Sequence, residues 1–258
     1  MKSRPFTICH MMMSVDGRID CAMTELLGDN EAYYNSLSSL KCSSSLIGRA
    51  TMMSCYTNGL RFVSSSQSCI GQAMNVARLS DGYTVVVDTH GTLNISSAEC
   101  GGLPLIVVTS EDAPADYAAH LTQLGVNWMA VGKVAIDLPR MAEALSTKFG
   151  VERLAVLGGG SINGAMLAAG LVDEVSVIVG AGVDGRSSQR SLFDGVDALS
   201  FGHTLHEEAP EVGYGNFLVA LGEGVGNGSE DCVNILGGIS LRDACLLCHN
   251  GCQLCLVH

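Results

Sequence analysis

The sequence predicts an α/β fold: a mainly parallel central sheet with helices on both faces and an antiparallel edge formed by its C-terminal strands. Three observations carry this expectation. Short apolar runs alternate with helix-compatible stretches from Phe6 to Ala169, the order that builds parallel sheets covered on both sides. Beyond that point, segments 174–179, 202–207 and 216–221 read as successive strands, with no long helix between the last two. Hydrophobic residues make up 47% of the chain and charged residues 16%, so a substantial core is expected and disorder is not.

Taken in order, residues 6–13 read as the first strand, in which His10 has apolar neighbours. Such a histidine is more often a satisfied interior group than a catalyst. A helix is expected near 31–40 and a strand at 45–47, with serine-rich loops at 43–45 and 64–68 and a helix near 67–79. Residues 84–87 are four apolar or β-branched residues that form a strand and deliver Asp88 and Thr89 to its carboxyl end. That is where open α/β sheets bind ligands. Strands at 105–108, 128–131 and 153–157 then alternate with helices near 114–124, 138–149 and 162–169. No repeat is present, and no linker divides residues 1–222.

Leu154-Ala-Val-Leu157-Gly158-Gly159-Gly160-Ser161-Ile162 is the most informative stretch. A buried strand runs through three glycines into a helix, with Ser161 in the N-cap position and Gly170 placed to stop the helix. Such a turn leaves backbone N–H groups unpaired at the positive end of a helix dipole, a ready phosphate site. The same glycines could equally serve only a tight turn. A second strand end, Gly48-Arg49-Ala50-Thr51, presents a guanidinium and a hydroxyl suited to a phosphate. Two such sites in one domain suggest a dinucleotide with an additional phosphate, and NADPH fits.

Composition excludes other classes. A net charge of −12 with no basic cluster argues against nucleic acid. No apolar run is long enough to span a bilayer, and the first residues lack a signal-peptide core, so a cytoplasmic protein is expected. Of the 11 cysteines, those up to Cys100 are scattered and read as small buried hydrophobes. The other five crowd residues 232–258 as Cys232, Cys245, Cys248, Cys252 and Cys255. Their spacing is not that of a usual zinc knuckle, and no metal ligand set is assigned. His203 and His206 flank a strand without a third ligand. Met11-Met12-Met13 and Met52-Met53 read either as core filler or as an adaptable wall for a planar ring.

Gly48-Arg49-Ala50-Thr51 together with Gly158-Gly159-Gly160 resembles the paired NADPH-binding signatures of the dihydrofolate reductase fold. The closer resemblance is to the reductase domain of riboflavin biosynthesis. Ser14-Val15-Asp16-Gly17-Arg18, Val85-Val86-Val87-Asp88-Thr89 and Ala169-Gly170-Leu171-Val172-Asp173-Glu174 match its other motifs in family order, roughly over residues 4–222. The resemblance implies an NADPH-dependent reductase of a phosphorylated pyrimidine, and a homodimer. Cofactor contacts then fall to Met13, Gly48, Arg49, Thr51, Thr89, Gly158, Gly159, Gly160, Ser161 and Ile162. Ser14, Asp16 and Leu157 would border substrate. Asp16 gains a catalytic role, orienting substrate or assisting proton delivery, although on residues alone it reads as a turn aspartate. Asp88 is expected to fix its turn, and the Asp173-Glu174 pair to act structurally.

Two departures stand out. Leu157 occupies the place of the family's acidic residue before the glycine loop, and Ser54-Cys55-Tyr56-Thr57 replaces an acidic stretch. The cofactor half of the pattern is therefore intact and the substrate half eroded. A same-fold reductase of another imine, carbonyl or pterin is the main alternative. A non-enzymatic NADPH sensor or structural dimer is the other. No deaminase zinc signature is present, so only the reductase portion is expected. Residues 1–222 form the reductase domain in this reading, and 223–258 a cysteine-rich tail of unassigned role.

Overall fold

Among the described residues ten strands lie in one continuous order with an eleventh at its side, and which neighbours can bury both faces sets that order. The computed structural model describes residues 3–19, 30–57, 59–180 and 182–195, and the backbone of 217–221 and 234–235. Strands β1 (Phe6–Ser14), β2 (Ser44–Gly48), β4 (Thr84–Val87), β6 (Leu103–Thr109), β7 (Asn127–Ala130), β8 (Arg153–Val156) and β9 (Glu174–Gly180) form its parallel centre. With β3 (Ala73–Asn75), β10 (Phe217–Leu221) and β11 (Asn234–Ile235), the order is β11-β10-β9-β1-β8-β2-β4-β6-β7-β3; β5 (Glu99–Cys100) pairs beside β6. The helices are α1 (Asn30–Ser39), α2 (Arg49–Cys55), α3 (Ala115–Gln123), α4 (Leu138–Phe149) and α5 (Gly160–Ala168).

Both faces of the sheet are covered because the central strands carry buried apolar residues on both of their faces. Val85 points into one core with Leu46, Val156, Met141, Leu145 and Met166, under α4 and α5. Val86, one residue on, points into the other with Ile47, Val107, Tyr117, Leu121 and Met52, under α3 and α2. A third cluster joins Cys9 and Met11 of β1 to Val175 and Val177 of β9. Burial pushes the Cys9 thiol up to about 12, so it behaves as an inert core residue. Cys100 is likewise buried, whereas Cys69 is exposed.

Helix ends obey local chemistry. Helix α4 starts at Asp137, whose side chain accepts from the Arg140 amide at 3.0 Å, and stops at Gly150 in the left-handed region. Helix α5 stops as expected: the amides of Gly170 and Leu171 bond back to the carbonyls of Leu167 and Met166. Its start differs from expectation. The N-cap is Gly159, not Ser161, which is already helical and caps nothing. The glycine at the cap is extended, and the strand–helix turn closes two residues earlier than the hydroxyl suggests.

The predicted helix at 67–79 is absent; the segment is extended and β3 pairs antiparallel with β7. Tertiary partners outbid helical propensity here: the Ile70 and Gly71 amides bond to Ala113 and Glu111, and Arg78 N–H to the Asn127 side chain. Ile70 and Ala73 join the second core. At the opposite edge, β10 runs parallel to β9, and the antiparallel pair is the outermost one, β10 with β11. The expected strand at 202–207, His203, His206 and the tail cysteines lie outside the described residues.

Candidate functional site

The site forms where two adjacent parallel strands send their chains to opposite faces. β2 and β8 are neighbours. The helix after β2 contributes Met52 to one core, and the helix after β8 contributes Ile162 and Met166 to the other. Such a divergence opens a crevice at the carboxyl ends of the strands. A cleft of about 550 Å³ lies there, within the roughly 300–1,000 Å³ usual for small-molecule and cofactor sites. Gly48, Arg49, Thr89, Gly159, Gly160, Ser161 and Ile162 line it, so most of the residues singled out for a cofactor converge on one surface. Met13, Thr51 and Gly158 do not line it.

Each glycine of the triplet has its own physical reason. Gly158 has φ +90° and lies against the Met11 thioether, where a Cβ would come within 2.8 Å of the sulfur. Its carbonyl accepts from the Gly48 amide at 2.8 Å, which joins the two strand ends. Gly160 packs so closely on the Ser191 carbonyl that a Cβ would collide with it, and its own carbonyl accepts from the Asp194 amide at 2.9 Å. Gly159 alone faces open space: a Cβ there meets nothing within 4 Å. The amides of Gly159, Gly160 and Ser161 have no protein acceptor among the described residues. These N–H groups, with the exposed Arg49 that lines the same cleft, fit a phosphate-bearing ligand.

Sequence reasoning missed part of the wall. Ala135, Ile136 and Leu138, from the loop entering α4, supply an apolar side, and His90 and Arg190 add polar groups. None carries a motif of its own; only strand order brings these loops beside β2 and β8. Asp88, as expected, fixes its turn. It is fully buried and accepts from the amides of Thr92 and Leu93 at 2.7 and 2.8 Å and from the Tyr117 hydroxyl at 2.9 Å. Burial beside that carboxylate raises the Tyr117 pKa well above its usual value. Thr89 presents its carbonyl to Ser110.

The β1 turn is a separate polar feature at the same sheet end. Ser14 Oγ donates to Asp16 at 2.6 Å, and the amides of Asp184 and Gly185 donate to both carboxylate oxygens at 2.9 Å. The Ser14 hydroxyl first, then these amides, holds the Asp16 carboxyl well below the usual range. Asp16 is therefore an exposed, ionised acceptor, and its environment opposes proton delivery. Leu157 packs with Ile47, Met53 and Phe62 in the second core, so an aliphatic chain fills the place where the family pattern has a carboxylate. His10 is fully buried, held by Ser176 Oγ at 3.0 Å and the Tyr33 carbonyl at 3.2 Å, an interior histidine as its neighbours suggested. Asp173 is structural too, in a two-pronged contact with Arg4 at 2.6 and 2.7 Å.

A parallel sheet with this crevice, lined by free amides and a guanidinium, is the architecture of a nucleotide-binding α/β protein. The chain belongs to the family of the RibD C-terminal domain, which it matches over residues 5–211. It is 27% identical over 198 residues to the 2,5-diamino-6-ribosylamino-4(3H)-pyrimidinone 5′-phosphate reductase of Methanothermobacter thermautotrophicus, covering 74% of this chain and 85% of the relative. A pyrimidine reductase-like protein of Corynebacterium diphtheriae has the same fold, with TM-score 0.57 at 15% identity over 77% of this chain and 83% of its own. RibD of Acinetobacter baumannii gives 0.53 at 17% identity over 77% of this chain. The chain spans 52% of that RibD, about half its length. The expected dihydrofolate reductase-like architecture is borne out by these neighbours.

Proposed function

We propose that the protein is an NADPH-dependent reductase of riboflavin biosynthesis, acting on a ribosylamino-pyrimidine phosphate. The observation that carries the reading is the cleft itself: unpaired amides at Gly159–Ser161 and the Arg49 guanidinium line one crevice within a RibD-type fold. When bound, the nicotinamide would supply the hydride. This chain supplies the rest. The three amides and Arg49 hold phosphate groups, Ile136 and Leu138 offer an apolar wall, and the Ser14–Asp16 turn presents an anionic acceptor for substrate hydroxyl or amino groups.

The test is substrate-dependent loss of nicotinamide absorbance with the diaminopyrimidinone and aminouracil ribosylamino phosphates. A panel of pterins and small carbonyls runs beside them. Turnover of a pyrimidine phosphate supports the reading. Turnover of only a pterin or carbonyl transfers it to the second reading, a same-fold reductase of another substrate, which the apolar packing of Leu157 favours. Tight NADPH binding without turnover of anything in the panel marks a sensor. A cytoplasmic homodimer without nucleic-acid partners completes the proposal. The net charge of −12 argues against nucleic acid, and no helix among the described residues is long and apolar enough to cross a membrane. A monomer by light scattering at micromolar concentration would remove the dimer.

A further inference from the structure

Residues 182–195 form a strap across the carboxyl end of the sheet, and its position is fixed from both sides. On one side it joins the β1 turn: Arg18 Nη1 donates to the Gln189 carbonyl at 2.8 Å, the Ile19 amide donates to the Arg190 carbonyl at 3.2 Å, and Arg18 bridges to Ser191. On the other it is bonded to α5, through the Asp194 amide to Gly160 and through Asn163 Nδ2 to the Leu192 carbonyl at 2.8 Å. Between these anchors Arg190 lines the same cleft as Arg49.

Its charge is weakly committed. The nearest acid is Asp194, at 3.9 Å from Nη1. Both Asp194 oxygens already accept from Ser191, at 3.0 Å from its amide and 2.6 Å from its hydroxyl. No other acceptor for the Arg190 guanidinium is found among the described residues, and its side chain is 67% exposed. The strap brings this cation beside Gly160 and Ser161, whose amides also lack protein acceptors. An anion held there would have both N–H donors from α5 and a forked cation within the same cleft.

Resting on the NADPH reading above, we propose that Arg190 is a positioning residue that clamps the cofactor diphosphate from the strap, while Arg49 reads the 2′-phosphate. The division follows from placement. Arg190 is tied to the segment bonded to the start of α5, and Arg49 opens α2, the helix that follows β2; both line the cleft. The diphosphate is common to both nicotinamide cofactors, whereas only NADPH carries the 2′-phosphate. Loss of Arg190 therefore weakens both cofactors alike.

Calorimetric titration of NADPH and NADH into wild-type, Arg190→Ala and Arg190→Lys protein tests this without any substrate. Melting curves on the same samples check the fold. Arg190→Ala should lose about ten-fold in affinity for both cofactors. The salt dependence of binding should flatten, with most of the affinity regained in Arg190→Lys. Selective loss of NADPH would overturn the diphosphate assignment. Unchanged affinity for both, with a normal wild-type affinity, would overturn the clamp and leave the cofactor reading standing. Wild-type protein that binds neither nucleotide would overturn both.

Discussion

At the residue scale, neighbouring residues of identical type carry unequal burdens. Gly159 faces the cleft with φ −73° and no neighbour, so a side chain there leaves the protein intact and fills the space next to the free amides. Gly159→Val should melt within about 1 kcal/mol of wild type, yet nearly lose NADPH. Gly160→Ala should do the reverse, because its Cβ would strike the Ser191 carbonyl; overpacking of this kind costs about 1–3 kcal/mol. Melting temperature and cofactor affinity measured on the pair separate the two roles. Normal NADPH binding by a folded Gly159→Val protein would remove the glycine turn from the site. Arg49 gives a second prediction at this scale. Arg49→Ala should weaken NADPH by roughly ten-fold or more while leaving NADH unchanged. Equal weakening of both would end its assignment to the 2′-phosphate.

At the element scale, helix α4 shows how far local signals reach. Asp137 caps it, Pro139 lies in its first turn, Gly150 ends it, and Met141, Ala142, Leu145 and Phe149 form one buried stripe. All of this is readable from spacing. Because the Asp137 cap holds the loop whose Ile136 lines the cleft, the helix start also shapes the site. Asp137→Ala should lower stability by about 1 kcal/mol, measured by urea denaturation, with only a small effect on cofactor affinity. A loss below about 0.3 kcal/mol would mean that the helix end is held by packing alone. The segment 67–79 shows the opposite case. Its residues suit a helix, but the unpaired edge of β7 offers hydrogen bonds and apolar burial that a helix would forgo. Local spacing cannot register a partner more than fifty residues away in sequence.

At the scale of the whole molecule, His10 couples the sheet to acid stability. Burial lowers its pKa, outweighing the hydrogen bonds with the Tyr33 carbonyl as acceptor and with Ser176, which act in the other direction. A depressed folded-state value means that the unfolded chain binds the proton more readily. The neutral ring's contribution is then complete above the ordinary histidine pKa of about 6.5 and is lost as pH falls through the folded value. The melting temperature should fall as pH drops below about 6.5, and His10→Gln should flatten that fall. An identical pH profile in the variant would show that other groups set the acid limb.

The sequence by itself determined the alternation of strands and helices, the two-faced core and the family. Each rests on signals within a dozen residues: apolar runs, caps, and five ordered motifs. It also marked both strand ends of the cleft, Gly48-Arg49 and Gly158–Ile162, since an interrupted strand followed by a helix leaves a visible local trace. Only the tertiary structure decided which members of each motif face the ligand. It put Gly160 against Ser191, gave Asp16 three donors that keep it ionised, and packed Leu157 into the core. It also brought Ile136, Leu138 and Arg190 to the same cleft from loops without motifs. The reason is physical: strand order juxtaposes carboxyl ends that lie far apart along the chain, and a side chain's electrostatic state depends on neighbours that only this juxtaposition supplies.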